Sequence, residues 1–290
     1  MPKIAPFLWF DTQAEEAMTF YTSLFDQAEI VSLTRYTEGP FAGKVLTGEF
    51  DLAGQRFMAL DGGPAFKFTP ALSFFVSCEN AAEVERLWAG LVEGANILMP
   101  LDRYPHSEKF GWLEDKYGLS WQLNLGAGAK KIAPFLTFVG DQNGNAEEAL
   151  RFYTSLFEGA QILHISHYAE GDHGTVGTLK YGLCSLADQT FMAIDSNLGH
   201  AFTFSEAISF QVLCGTQAEV DFLWEQLSAV PQAEQCGWLK DKYGISWQII
   251  PTELPKLLTD SDPVKVQRVM QAMLQMKKIE VAALQSAYAG

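Results

Sequence analysis

Gln122 and Gln248 stand at the same place in two near-identical stretches, GWLEDKYGLSWQ from Gly111 and GWLKDKYGISWQ from Gly237. A carboxamide can ligate a cation through its carbonyl oxygen, or hold an uncharged ligand by donating and accepting at once. Cation binding needs company, since a structural zinc takes four donors and a catalytic zinc three plus water. The histidines do not obviously supply it. His164 and His167 are three apart in a segment that reads as a strand, where alternation sends them to opposite faces. His173 and His200 lie in Gly-flanked turns, and His106 lies in LDRYPHSEKF, a segment that shrinks to PQAEQC in the second copy. All five are expected to be exposed or hydrogen-bonded. Asp61 and Asp195 end the paired runs FMALD and FMAID, where a carboxylate can stabilise a turn or reach into a site. Cys78, Cys184, Cys214 and Cys236 form no CxxC pair and sit in strand patterns, as buried thiols in a reducing compartment do. Nucleophilic triads, phosphate loops and metal fingers are absent as spaced motifs.

The duplicated stretch belongs to a longer repeat. KIAPFLWF at Lys3 returns as KIAPFLTF at Lys131, FYTSLF at Phe20 as FYTSLF at Phe152, and EVERLW at Glu83 as EVDFLW at Glu219. Order is kept throughout, so the chain is a tandem duplication: residues 1–128, residues 129–252, and an unduplicated tail, 253–290. Capping-box spacings at Thr12, Asn80, Asn145 and Thr216 each precede apolar residues at helical spacing. Apolar runs bounded by Gly and Asp, such as VLTGEF, RFMALD and ALSFFV, read as strands. Each unit is therefore predicted to be strand, helix, three strands, taken twice, which makes four βαβββ modules in an α+β fold. The tail opens with Asp262 as N-cap and Pro263 in the first turn, and predicts a helix running to about Ala287 with one apolar face. That face would pack across both units or join two chains into a homodimer.

With 48% hydrophobic residues in 290, two cores can be built, and the formal charge of −15 works against phosphate backbones and anionic membrane surfaces. No nucleic acid or membrane partner is expected. No apolar run approaches a membrane span, and the N-terminus lacks a signal peptide's order, so a cytoplasmic protein is predicted.

Paired βαβββ modules, together with APFLWFDTQAEEAMTFYTSLF, FMALDGG and GWLEDKYGLSWQ, resemble the PhnB-like branch of the vicinal oxygen chelate superfamily, which includes glyoxalase I, extradiol dioxygenases and bleomycin-resistance proteins. The resemblance covers both units and extends into the tail. It implies curved sheets forming cups, and an internal pseudo-dimer, since single-unit relatives form homodimers. It also implies a divalent metal held by His, Glu or Gln from the first, fourth, fifth and eighth strands. Aligned on that pattern, the positions fall on Pro6, Ala59, Ala71 and Gln122, and in the second unit on Pro134, Ala193, Ala207 and Gln248. One potential ligand per cup is too few, so no cofactor is predicted.

If Gln122 points into the cup, alternation adds Ser120 and Asn124 and turns Trp121 outward. Carried to the other strands, the same parity selects Leu8, Phe10, Ser73 and Phe75, then Leu136, Phe138, Ser209, Gln211, Ser246 and Gln248. Asp61 and Asp195 complete the candidate ligand-binding set. Trp112, Trp238, Tyr117 and Tyr243 either edge the cup or pack a module interface. LDRYPHSEKF, longer than its counterpart, is a candidate lid over one cup. The reading is a small-molecule-binding PhnB-like protein, its ligand unidentified. The alternatives are a metal-dependent glyoxalase- or dioxygenase-like enzyme, and the methyltransferase implied by the family label. No Gly-rich strand-to-helix turn supports the last.

Overall fold

The computed structural model describes residues 3–128 and 130–290; the expected unit boundary at Ala129 lies outside the described residues. The first half contains β1 (Lys3–Phe10), α1 (Ala14–Leu24), β2 (Glu29–Arg35), β3 (Val45–Leu52), β4 (Gln55–Asp61), β5 (Leu72–Cys78), α2 (Ala81–Leu91), β6 (Asn96–Tyr104), β7 (Ser107–Glu114) and β8 (Ser120–Leu125). The second contains β9 (Ile132–Phe138), α3 (Ala146–Leu156), β10 (Gln161–His167), β11 (Leu179–Leu186), β12 (Gln189–Asp195), β13 (Ile208–Cys214), α4 (Gln217–Leu227), β14 (Trp238–Lys240) and β15 (Ser246–Pro251). Three modules follow the expected order. In the fourth, the strand that would match β6 is replaced by a short turn at Pro231–Ala233.

The strands form a seven-stranded sheet, β14-β15-β13-β1-β4-β3-β2, and an eight-stranded sheet, β10-β11-β12-β9-β5-β8-β7-β6. Each sheet joins a module from one half to a module from the other, at antiparallel seams between β1 and β13 and between β5 and β9. The expectation of one cup per sequence unit is therefore corrected. The reason is packing within each half, where Phe57 of β4 meets Phe74 of β5 with ring centroids 4.9 Å apart, and Phe191 meets Phe210 at 4.8 Å. These rings lie on the helix-covered faces, so the two modules of a half sit back to back. Their open faces look away from each other, and each completes its sheet with the other half. The connectors exchange reciprocal bonds at this crossover: Thr69 Oγ1 donates to the Thr203 carbonyl at 2.6 Å, and Ser205 Oγ to that of Lys67 at 2.7 Å.

Two capping expectations hold and two do not. Asn80 accepts from Glu83 N and Thr216 from Glu219 N. The glutamates Glu83 and Glu219 reach back to Glu79 N and Gly215 N. Thr12 and Asn145, by contrast, do not cap α1 and α3; those N-termini are held from across the sheet by Asp61 and Asp195.

The tail is not one helix. It comprises α5 (Glu253–Leu258), α6 (Pro263–Leu274, capped by Asp262 as expected) and α7 (Val281–Ala289). Between α6 and α7 the backbone turns to pair with the β14 hairpin: Cys236 N donates to Met276 O at 2.8 Å and Gly237 N to Lys277 O at 2.7 Å. Ile279 is fully buried with Ile250, Leu254 and Leu257. The edge left by the missing strand is met along β14 by Ala229 N on Lys240 O and by the Gln235–Trp238 pair, and the tail extends this cover past Cys236 and Gly237, where exposed N–H groups would otherwise be open to another chain. Of the apolar face expected to pack on the units or to join two chains, Val269, Ile279 and Leu284 bury within the chain, against Ile250, Leu254 and Leu257.

Candidate functional site

Cross-strand partners share a face, which allows each side chain to be assigned. On the eight-stranded sheet Phe75 lies opposite Gln122 and Ala133, Trp112 opposite Gln122, and Ser73 opposite Phe135. Helix α2 covers the other face, since a Cβ at Gly111, opposite Leu123, would overlap Trp88. Gln122, Ser120, Asn124, Ser73 and Phe75 therefore share the open cup face. On the seven-stranded sheet Ser209, Gln211, Ser246, Gln248 and Trp238 do the same, with Phe7.

Leu8 and Phe10 are corrected to the helix face: Leu8 pairs with Ala59, whose neighbour Gly48 lies under Met18 of α1. Leu136 and Phe138 likewise pair with Ala193 and Asp195, away from the cup. The cup positions are Phe7 and Trp9, and Phe135 and Thr137. Parity set at Gln122 could not be carried to β1 or β9, because a one-residue slip between strands reverses every side chain.

Asp61 and Asp195 are also corrected, from candidate ligand groups to structural clamps. Asp61 accepts from Ala14 N at 2.8 Å and Val45 N at 2.9 Å. Asp195 accepts from Gly144, Ala146 and Leu179 N. Burial pushes the Asp195 carboxyl above its ordinary range, against the pull of these three amides.

Each cup has a polar centre; the surface around it is largely apolar on the eight-stranded sheet, while the seven-stranded face also carries Arg56 paired with Glu49 and Asp51. Gln122 Nε2 donates to Ser73 Oγ at 2.8 Å and Gln248 Nε2 to Ser209 Oγ at 2.9 Å, which leaves both amide carbonyls without a protein partner among the described residues. Trp112 Nε1 donates to Ser120 Oγ at 2.8 Å. Its repeat equivalent differs: Ser246 Oγ is buried and has no partner among the described residues. Around Gln122, the residues Ala133, Phe135 and Met192 form an apolar cluster with Phe75, Tyr181, Leu183 and Ile194, separate from the main core. The segment LDRYPHSEKF is not a loop but a β6–β7 hairpin, with Tyr104 and His106 on Phe110 at 5.8 and 4.9 Å. Partial burial lowers the His106 imidazole below its ordinary range. Two open depressions of about 440 and 620 Å³ lie elsewhere, beside this hairpin tip and along α1.

The aligned metal positions do not converge. Pro6 and Ala59 share the helix face with Leu8, as Pro134 and Ala193 share theirs with Leu136, and their cup-side neighbours include Phe7, Met58, Phe135 and Met192. His167 pairs with Glu147 of α3 while His164 lies beside Tyr181, and His200 is bonded to Ser196. Among the described residues, no group of three or more His, Cys, Asp or Glu could hold a metal ion. The donor set does not fit one. Cys78, Cys184 and Cys214 are buried, and burial pushes their thiols up to about 12.

The repeated hairpin also has a helix-side role. Asp115 accepts from Tyr21 OH at 2.8 Å, Trp121 Nε1 at 2.9 Å, and the amides of Tyr117 and Leu119. Asp241 does the same for Tyr153, Trp247, Tyr243 and Ile245. Burial raises the Asp115 carboxyl, opposed by these four donors. One strand of the repeat thus pins α1 through Trp121 and presents Gln122 to the cup.

No helix among the described residues is long and apolar enough to cross a membrane. The family profile described as 3-demethylubiquinone-9 3-methyltransferase matches residues 2–124 and 130–250. The PhnB protein from Bacillus cereus is 54% identical over 43% of this chain and 99% of its own, with a TM-score of 0.42. A protein from Staphylococcus aureus is 41% identical over 44% of this chain and 98% of its own, with a TM-score of 0.20. Glyoxalase I from Zea mays is 11% identical, covers 90% of this chain and 97% of its own, and has a TM-score of 0.56, a likeness of fold alone. No curated protein matches the sequence. Matched in both halves, the chain belongs to the 3-demethylubiquinone-9 3-methyltransferase, or PhnB-like, family, and its paired modules share the fold of glyoxalase I.

Proposed function

We propose that this protein binds an uncharged small molecule on a cup face, gripping it by apolar contact and the glutamine carboxamide rather than through a metal. The observation that carries the reading is the pairing of Gln122 with Ser73 and Gln248 with Ser209, which orients each carboxamide and leaves its carbonyl available. An apolar surface with a few convergent polar groups suits a small organic ligand. Phe75, Phe135, Thr137 and Met192 around Gln122 are uncharged, and Glu114, further along the face opposite Ser120, already accepts from Asn96.

The methyltransferase in the family's description finds no support in the strand-to-helix turns: Asp11-Thr12-Gln13 and Glu79-Asn80 hold no glycine, and the turn before α3, with Gly140 and Gly144 four apart, lacks the G-x-G-x-x-G spacing and is tied to Asp195 through Gly144 N. Calorimetry with S-adenosylmethionine separates the two readings, because micromolar binding would favour the methyltransferase. The main test is a thermal-shift and NMR screen of uncharged aromatic fragments against the protein and its Gln122→Leu and Gln248→Leu variants. At least one variant should lose about tenfold in affinity, as expected for a hydrogen bond of about 1.4 kcal/mol. Unchanged binding in both would remove the glutamines from the site.

A further inference from the structure

We infer that the two cups have diverged into one closed scaffold and one ligand site, so that the chain takes a single ligand, on the eight-stranded sheet beneath Phe202. This rests on the small-molecule reading above and adds where the molecule sits and how many are bound.

In the seven-stranded cup, Trp9 fills the floor. Its indole donates through Nε1 to the Gly63 carbonyl at 2.8 Å and meets Phe66 and Trp238 edge-on at 5.1 and 6.0 Å. It can lie there only because residue 62 is glycine, since a Cβ at that position would overlap the indole. Trp238 is turned against Phe7 and Trp9, so Ser246 lacks the indole donor that its equivalent Ser120 receives from Trp112. A filled floor has thus been bought with an unsatisfied hydroxyl.

The eight-stranded cup differs at each of these places. The repeat puts Thr137 where Trp9 stands and Ser196 where Gly62 stands. The short threonine puts no ring on the floor, and Phe202, equivalent to Phe66, packs edge-on to Trp112 with centroids 6.5 Å apart. His200 stacks on Phe202 at 4.6 Å, with its Nε2 bonded to Ser196 Oγ at 2.9 Å. The connector between Asp195 and Ala207 is two residues longer than that between Asp61 and Ala71, and Leu198 within it is 62% exposed. Trp9 is held in place by its bond to Gly63 and two edge-on rings, whereas Phe202 follows a longer connector exposed at Leu198, Gly199 and Ala201, from which a ring can swing aside. What fills one cup permanently is therefore a removable cover in the other. The Trp9–Gly62 and Thr137–Ser196 pairs determine which cup is which.

The test uses the full chain, its Trp9→Thr variant and a Thr137→Trp/Ser196→Gly double variant, titrated with the uncharged fluorophore N-phenyl-1-naphthylamine. The parent should bind one equivalent, Trp9→Thr two, and the double variant none. Two equivalents in the parent, or a double variant that keeps its site, would overturn the inference while leaving small-molecule binding intact. Saturable binding by none of the three would instead count against the small-molecule reading. A ligand-free measurement then decides the inference alone, and it also does so if Trp9→Thr fails to fold. The double variant rebuilds a floor the chain already makes, so its Tm should stay within about 4 °C of the parent, and a fall of more than about 8 °C would show that the space beneath Phe202 does not exist.

Discussion

Replacing Asp115 tests the reading of the repeated hairpin. Its carboxylate, 4% exposed, satisfies four donors at 2.8 to 3.1 Å: the Tyr21 hydroxyl, the Trp121 indole and two backbone amides. Asp115→Ala leaves all four without that acceptor, and an unsatisfied buried donor costs about 1–3 kcal/mol. The Tyr21 hydroxyl can rotate and water can reach the turn amide of Tyr117, so the indole and the Leu119 amide carry most of the loss. The expected cost is about 2–6 kcal/mol, a large share of the roughly 5–15 kcal/mol that holds a domain together. Asp115→Asn keeps one carbonyl for the amides and turns an NH2 toward the Trp121 N–H, for about 1–3 kcal/mol. Urea unfolding followed by tryptophan fluorescence measures both, and Asp241 should repeat the pattern. A loss below about 1 kcal/mol for Asp115→Ala would refute the clamp and return the repeat to a purely cup-facing role.

Asp61→Ala should cost about 1–2 kcal/mol in the same assay, because it uncaps α1 at Ala14 and frees Val45 N; equal stability would mean water replaces the clamp. Truncation after Leu258 frees Cys236 N and Gly237 N and bares Ile250, Leu254 and Leu257, and should raise the mass seen by light scattering above that of the full chain; an unchanged mass would deny the tail a shielding role. His106 is held below the ordinary imidazole range by burial, so the stability tied to its neutral form is complete above pH about 6.5 and lost as pH falls through the lowered value. Hydrogen exchange at the β6–β7 tip should accordingly quicken relative to the core in that window, and His106→Phe should abolish the effect. Dialysis against a chelator should leave Tm unchanged, and a fall of several degrees would mean a bound metal contributes to the fold.

Local information in the chain was enough for the modules, the duplication and the side of β8 that carries Gln122. Strand alternation and helix periodicity are written in neighbouring residues, and Asn80 and Thr216 cap helices through groups three positions away. Face assignments failed for Leu8, Phe10, Leu136 and Phe138, because the register of β1 against β13 and of β9 against β5 joins segments far apart in sequence. Asp61 and Asp195 were legible as turn-stabilising carboxylates, but which helix N-terminus each holds depends on strands β4 and β12 arriving beside α1 and α3. Only the tertiary structure decided that each cup is shared between halves, that the tail pairs with Cys236 and Gly237 beside β14, and that Trp9 meets Phe66 and Trp238 in one cup while Phe202 meets Trp112 in the other. Pairing of distant edges depends on which apolar faces bury first against each other, and that competition is settled by the assembled core rather than by any single stretch of chain.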